Sequence, residues 1–108
     1  MATLAMKRGV QPRGLIRLIV AVANVAQRLD APRTVTITSC IDSKHSDRSH
    51  HYRLGAIDVR SKNFGSLYAK RRFLRLLKDE LGNDANEYDI LLERLGKPNE
   101  HFHLEYDP

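Results

Sequence analysis

The sequence predicts an α+β fold, a layer of helices on a small, mostly antiparallel sheet. Two stretches have apolar residues at helical spacing, and four short stretches have the composition and alternation of strands. These segments do not alternate as βαβ units, so a parallel doubly wound sheet is not expected. A chain of 108 residues with 42% hydrophobic residues has room for one modest core, and we therefore expect a single domain.

The first predicted helix lies between Leu15 and Leu29, where apolar residues repeat at helical spacing, and Pro32 follows it. Basic residues precede this stretch, as they do in a signal peptide. However, Arg17 interrupts the apolar run, so we interpret the stretch as an amphipathic core helix. We accordingly expect the protein to be made in the cytoplasm without a signal peptide.

The second predicted helix runs from Ser66, which can cap its N-terminus, to Leu81, and Gly82 ends it. The predicted strands cover residues 34–38, 56–60, 88–93 and 101–107, and residues 94–99 form a turn. Residues 39–54 are polar and have no periodicity, so we expect a long loop there. Loops of that length within a compact domain often carry function.

Composition argues against several classes of protein. The single cysteine, Cys40, excludes an internal disulfide and a cysteine-rich zinc module. No run of 18 apolar residues exists, so no membrane span is expected. The net charge is +5, but no nucleic-acid motif accompanies the basic residues of the second helix, so we expect no nucleic-acid partner. A thiol peptidase is disfavoured because Cys40 follows a strand and does not open a helix.

Two histidines and one aspartate are predicted to share a polar face of the sheet. Alternation in the last strand places Phe102 and Leu104 in the core and leaves His101 and His103 on the opposite side. The same alternation turns Asp58 away from the core in its own strand. If the two strands share a sheet, these three polar side chains lie on one face.

A further histidine, His51, stands seven positions before Asp58, at the end of the polar loop. Two histidines and one carboxylate form a three-ligand set that leaves the fourth position of zinc open, as catalytic zinc sites require. Spacing alone also allows surface histidines that bind no metal. The adjacent His50 is an alternative ligand to His51.

The segments 49–58 and 100–105 resemble the D-Ala-D-Ala metallopeptidase superfamily, which includes carboxypeptidases, phage endolysins and the hedgehog signalling domain. The family pattern is Ser-x-His-x-x-Gly-x-Ala-x-Asp, followed later by Glu or Asp three residues before a final His. The residues that match it are Ser49, His51, Ala56, Asp58, Glu100 and His103. The resemblance covers roughly residues 35–107 and is greatest to a small phage-associated branch.

The resemblance implies a hedgehog-like or DD-peptidase-like fold and one zinc peptidase domain over residues 1–108. Its helical segment would be 1–30 and its catalytic core 34–107. The resemblance further implies that His51, Asp58 and His103 bind Zn²⁺, that Glu100 is the general base, and that His101 contacts the water or the oxyanion. The implied substrate is a peptidoglycan stem peptide, cut as by a D-Ala-D-Ala carboxypeptidase or an L-Ala-D-Glu endopeptidase. The implied place of action is the cell wall or periplasm, with association with a virion or tail left open.

The chain departs from the family pattern at two points. Leu54 occupies the position of the family glycine, and Gly55 follows one place later. The basic residue that many members carry at the end of the first strand is absent, and Arg33, Arg48 and Arg53 are candidates to bind the substrate carboxylate in its place. The alternative function is a non-catalytic metal-binding or structural domain of the same fold, such as a phage tail component.

Three carboxylates near the last strand need separate consideration. Glu100 would face away from His101 if it belonged to the regular strand. We therefore expect it at the mouth of the strand, where the turn at residues 98–99 frees its direction. Glu105 and Asp107 are candidates to orient the histidines from outside the ligand set, or are simply solvated.

Overall fold

The computed structural model describes residues 1–8, 16–43 and 54–107. These residues form, in chain order, β1 (Thr3–Met6), α1 (Ile16–Gln27), β2 (Thr34–Ser43), β3 (Leu54–Arg60), α2 (Leu67–Leu81), β4 (Tyr88–Glu93) and β5 (His101–Tyr106). One short 3-10 helix precedes α2 (Lys62–Phe64) and another follows it (Gly82–Glu87). The strand order in the sheet is β1-β2-β3-β5-β4. Of the strand pairs among the described residues, β1 with β2 is the only parallel one, so the predicted α+β class and the mostly antiparallel sheet are confirmed.

The second helix begins and ends as its sequence predicts. The Ser66 side chain accepts a hydrogen bond from the backbone N–H of Ala69 at 3.1 Å, which satisfies one of the free donors of the first turn. Gly82 follows the last helical residue with φ of +57°, a conformation that favours glycine, and its N–H donates to the carbonyl of Lys78.

One core joins both helices to one face of the sheet. Three aromatic rings form its centre: Phe64, Phe73 from α2 and Phe102 from β5, with ring centroids 4.7 to 5.0 Å apart. Phe102 and Leu104 are fully buried. Because successive side chains of a strand point to opposite faces, this burial turns His101 and His103 away from the helices.

The structure differs from the sequence prediction in two places. Strand β1 was not predicted, because four residues carry too short a pattern, yet it pairs with β2 from Thr3 opposite Thr34 onward. The predicted loop at residues 39–54 was wrong at both ends, since β2 continues to Ser43 and β3 begins at Leu54, its pairing partner. In both places the strand depends on backbone pairing to a neighbouring strand, which no local sequence pattern reports.

No helix in the described ranges has the length and apolar character needed to cross a membrane.

The buried Phe102 side chain should contribute far more to stability than the Leu91 side chain, which lies on the other face of the sheet. We expect Phe102→Ala to lower the free energy of unfolding by about 3–5 kcal/mol, since it leaves a cavity among three packed rings. Leu91 lies on the adjacent strand, faces the opposite side and is 50% exposed, so Leu91→Ala should cost less than about 1 kcal/mol. Urea denaturation of the two variants measures both values, and equal losses would contradict the described core.

Candidate metal centre

The candidate site lies on the polar face, by which we mean the side of the sheet turned away from α1 and α2. Asp58 in β3 lies directly opposite His103 in β5, and His101 is the partner of Arg60. On the other side of β5, His103 pairs with Leu91 of β4. The antiparallel register thus places Asp58, His101 and His103 together, as the alternation of each strand predicted.

Asp58 is the centre of this cluster. Its Oδ1 is 2.9 Å from Nδ1 of His103 and 3.7 Å from Nε2 of His101. Its Oδ2 accepts a hydrogen bond of 2.9 Å from the Ser39 hydroxyl, which belongs to β2. The carboxylate is therefore held by one neighbour on each side, and one of its oxygens faces both imidazoles.

The imidazole of His101 has a defined donor side. Its Nδ1 is 2.9 Å from the backbone carbonyl of Asn99. A carbonyl only accepts hydrogen bonds, so Nδ1 carries the proton and donates it. In the neutral ring, Nε2 then holds the free lone pair, and this is the atom that faces Asp58.

His103 lies between two carboxylates. Its Nε2 is 3.0 Å from Oε1 of Glu105, and its Nδ1 contacts Asp58. Burial disfavours the charged ring, but the hydrogen bonds to Glu105 and Asp58 outweigh it and raise the pKa of His103. A metal ion would replace the proton on one nitrogen, while a carboxylate on the other nitrogen fixes the ring, as in many metal sites.

The donor set fits a zinc ion. Asp58, His101 and His103 can each offer one ligand atom, and these atoms lie within 4.8 Å of one another. The three side chains are partly buried, and a carboxylate with imidazoles is a common zinc combination.

Glu105 and Asp107 were the two carboxylates expected to orient the histidines. Glu105 contacts His103, whereas Asp107 groups with Asp89 and Glu105 at the end of the same face.

Several predicted site residues lie outside the described residues. They are the proposed ligand His51, its neighbour His50, Ser49 of the motif, and the two arginines Arg48 and Arg53. Of the candidates to bind the substrate carboxylate, only Arg33 is described, and it is an exposed residue immediately before β2. The described residues therefore contribute Asp58 and His103 of the predicted ligand set, with His101 beside them.

Glu100, the predicted general base, is placed elsewhere. Its side chain is 4% exposed and its Oε1 is 2.5 Å from Nζ of Lys70 on α2. The hydroxyl of Ser61 donates to the same oxygen at 2.6 Å, and the backbone N–H of Gly96 donates to Oε2 at 2.9 Å. The structure thus joins Glu100 to the helix layer and does not bring it to Asp58 and the histidines.

Strand alternation explains this placement. Continuing the β3–β5 register by one pair sets Ser61 opposite Glu100, on the same side as Phe102. The expectation that the turn redirects Glu100 is therefore not supported by its contacts. Hydrogen bonds from Gly96, Lys70 and Ser61 lower the pKa of Glu100 to about 2, whereas an effective general base has a pKa nearer the working pH.

Sequence reasoning missed Ser39 as a partner of Asp58, and Ser61 and Lys70 as partners of Glu100. The bond from Ser39 depends on an irregular register between Ile37 and Ser39 in β2, for which the sequence holds no clear signal. The ion pair of Lys70 depends on how α2 packs on the sheet.

Comparisons with protein-family models, curated proteins and solved structures found no match to this chain.

The lowered pKa of Glu100 predicts a specific loss of stability in acid. Its ordinary value is 4.5 and its value in the folded protein is about 2, so the ionised carboxylate stabilises the fold above pH 4.5. That contribution disappears as the pH falls from 4.5 towards 2. Glu100→Gln should therefore lower the free energy of unfolding by about 2–3 kcal/mol at pH 7 and by progressively less below pH 4.5.

The control for this experiment is Glu87→Gln, which changes a carboxylate that has no side-chain hydrogen bond among the described residues and should cost little at any pH. Urea denaturation between pH 7 and pH 2.5 gives the comparison. A difference between wild type and Glu100→Gln that stays constant over this range would contradict the described ion pair.

Proposed function

We propose that this chain is a zinc-dependent peptidase that hydrolyses peptide bonds in peptidoglycan stem peptides. The observation that supports this most is the cluster on the polar face, where Asp58 Oδ1 is 2.9 Å from His103 Nδ1 and 3.7 Å from His101 Nε2. Two of these residues, Asp58 and His103, also occupy positions at which the sequence resembles D-Ala-D-Ala metallopeptidases. The cluster thus contains two of the three zinc ligands that the resemblance implies.

In this proposal, Asp58 and His103 hold the zinc ion with His51 as the third ligand. Zinc bound there supplies a Lewis acid that polarises a peptide carbonyl and lowers the pKa of a water molecule. Ser39 holds the Asp58 carboxylate through Oδ2, which leaves Oδ1 directed at the histidines. Glu105 holds Nε2 of His103 and so leaves Nδ1 for the ligand position.

His101 is the proposed proton carrier. Its Nδ1–H is committed to the Asn99 carbonyl, so proton exchange takes place at Nε2, which faces the cluster. A neutral Nε2 accepts a proton from the attacking water and returns it to the leaving amine. In this scheme Glu100 is a positioning residue, because its bond to the Gly96 N–H holds the turn that presents Asn99 to His101.

The proposed place of action is the cell wall or periplasm, with or without a virion, and a net charge of +5 suits an anionic wall. A second candidate function is a non-catalytic metal-binding or structural domain of the same fold. The observation that favours it is the ion pair of Glu100 with Lys70, which removes the carboxylate that serves as the base in the family that the motif resembles.

Zinc content and hydrolysis together test the proposal. Protein purified without added metal should contain about one zinc ion per chain, and Asp58→Asn, His103→Gln and His51→Ala should each lose it. His50→Ala is the matched control and should keep the zinc. Elemental analysis measures the metal, and mass spectrometry of digested peptidoglycan separates release of D-Ala from cleavage between L-Ala and D-Glu. Full activity in metal-free protein would contradict the zinc assignment, and zinc without any cleavage would favour the structural domain.

His101 and Glu100 should respond differently to substitution. We expect His101→Gln to retain zinc and to lower turnover by about 10²-fold or more, the usual scale for loss of a general base. Glu100→Gln should lower the melting temperature and, where the variant is folded, leave turnover within about tenfold of wild type. The measurements are zinc content, melting temperature and kcat on one stem peptide. Zinc loss in His101→Gln would make this histidine a ligand, and a 10²-fold loss in Glu100→Gln at unchanged stability would restore Glu100 as the base.

A further inference from the structure

The outer side of α2 carries a stripe of cations. Arg71, Arg75 and Lys78 are exposed and follow the spacing i, i+4, i+7, which places them on one side of a helix. The opposite side of the same helix buries Phe73 and Leu77 in the core. We call Arg71, Arg75 and Lys78 the basic stripe, and it lies in the helix layer, away from the polar face of the sheet.

The basic stripe is not neutralised by acidic neighbours. None of its three cations forms an ion pair with a carboxylate among the described residues, although Asp79 lies four positions after Arg75. Glu80, the other acidic residue of α2, pairs with Arg28 of the chain segment after α1 at 3.1 Å. The carboxylates near the stripe therefore leave its positive charge available to an external partner.

A second basic feature adjoins the start of α2. An open pocket of about 430 Å³ is lined by Lys62, Lys70, Gly96, Lys97, Pro98 and Glu100. Lys70 is paired with Glu100, and the Lys62 ammonium donates to the carbonyl of Pro98. Lys97 is exposed, and no described carboxylate pairs with it. Three lysines against one carboxylate give the pocket a positive balance. Lys70 of its lining directly precedes Arg71 of the stripe in α2.

We infer that the basic stripe and this pocket bind an anionic phosphodiester polymer of the cell envelope. Three cations about 4.5 and 6 Å apart along the helix axis match successive charges of a linear polyanion better than a single small anion. Two of the three are arginines, whose planar guanidinium matches a phosphate with two hydrogen bonds. The choice of an envelope polymer rests on the proposed function, since a wall peptidase meets such polymers at its substrate.

Binding at α2 leaves the polar face free. The helix layer and the cluster of Asp58, His101 and His103 lie on opposite sides of the sheet, so one molecule can contact the polymer and a stem peptide together. Contact with the polymer would hold the enzyme at the wall and raise the local concentration of substrate. It adds affinity for the intact wall without changing the reaction on a free peptide.

The experiment compares two triple variants of equal charge. One carries Arg71→Gln, Arg75→Gln and Lys78→Gln, and the control carries Lys7→Gln, Arg8→Gln and Arg17→Gln, three exposed cations elsewhere. The probe is poly(glycerol phosphate), with binding to wild-type protein measured at several salt concentrations. We expect the stripe variant to bind at least tenfold more weakly and to reduce the slope of log K against log salt by about 2, as loss of three phosphate contacts predicts. The affinity of the control variant for the polymer should remain within threefold of the wild-type affinity.

Three outcomes would overturn the inference. Equal losses in both triple variants would mean that net charge alone drives binding. No binding of poly(glycerol phosphate) by the wild-type protein would mean that the surface does not bind such a polymer. Tighter binding of single-stranded DNA of equal charge, weakened by Tyr68→Ala, would point to a nucleic acid, because Tyr68 is 71% exposed on the same helix and bases stack on such rings.

Hydrolysis of a soluble stem peptide by the same variants separates this inference from the proposed function. Both triple variants should hydrolyse the free peptide at the wild-type rate, since none of the changed residues belongs to the cluster of Asp58, His101 and His103 or is a candidate to bind the substrate. Loss of polymer binding with normal peptide hydrolysis supports the inference. Normal polymer binding by a wild-type protein that cleaves no peptide would contradict the peptidase proposal and leave the basic surface intact.

Discussion

The antiparallel register of β3 against β5 determines the positions of Asp58, His101 and His103 in the candidate site. Asp58 faces His103 because Ile57 and Leu104, and then Val59 and Phe102, form the neighbouring pairs on the core side. A shift of one residue would turn the histidines into the core and the large apolar side chains out. The burial of Phe102 among aromatic rings therefore stabilises the site as well as the fold.

The same register separates two carboxylates that the motif alone would combine. Asp58 lies in β3 and Glu100 immediately precedes its partner strand β5. Alternation sends the first to the polar face and, continued by one residue, the second to the helix side. Glu100 keeps that direction because Ser61, Lys70 and the Gly96 N–H satisfy its oxygens there. Breaking these bonds to turn the carboxylate around would leave the ammonium of Lys70, whose side chain is 15% exposed, without its partner.

Much of the fold was predictable because its signals are local. Alternation in β3 and β5 assigned the polar face, and the Ser66 cap and Gly82 located the ends of α2. Features made by contacts between distant segments were not predictable, namely the parallel strand β1, the extension of β2 and the bond from Ser39 to Asp58. The direction of Glu100 was ambiguous in the sequence for a similar reason, since its three partners come from three separate segments.

The two sides of the molecule suit ligands of opposite charge. On the polar face, Asp58, Glu93 and Glu105 surround His103, and their hydrogen bonds and charges raise its pKa, so this face favours a cation, whether a proton or a metal ion. On the helix side, the basic stripe favours an anion. The sheet lies between them, so a polyanion held at α2 does not need to displace the carboxylates that position His103. The fold thus permits a cation site and an anionic partner in a chain of only 108 residues, because each strand of the sheet presents different chemistry on its two faces.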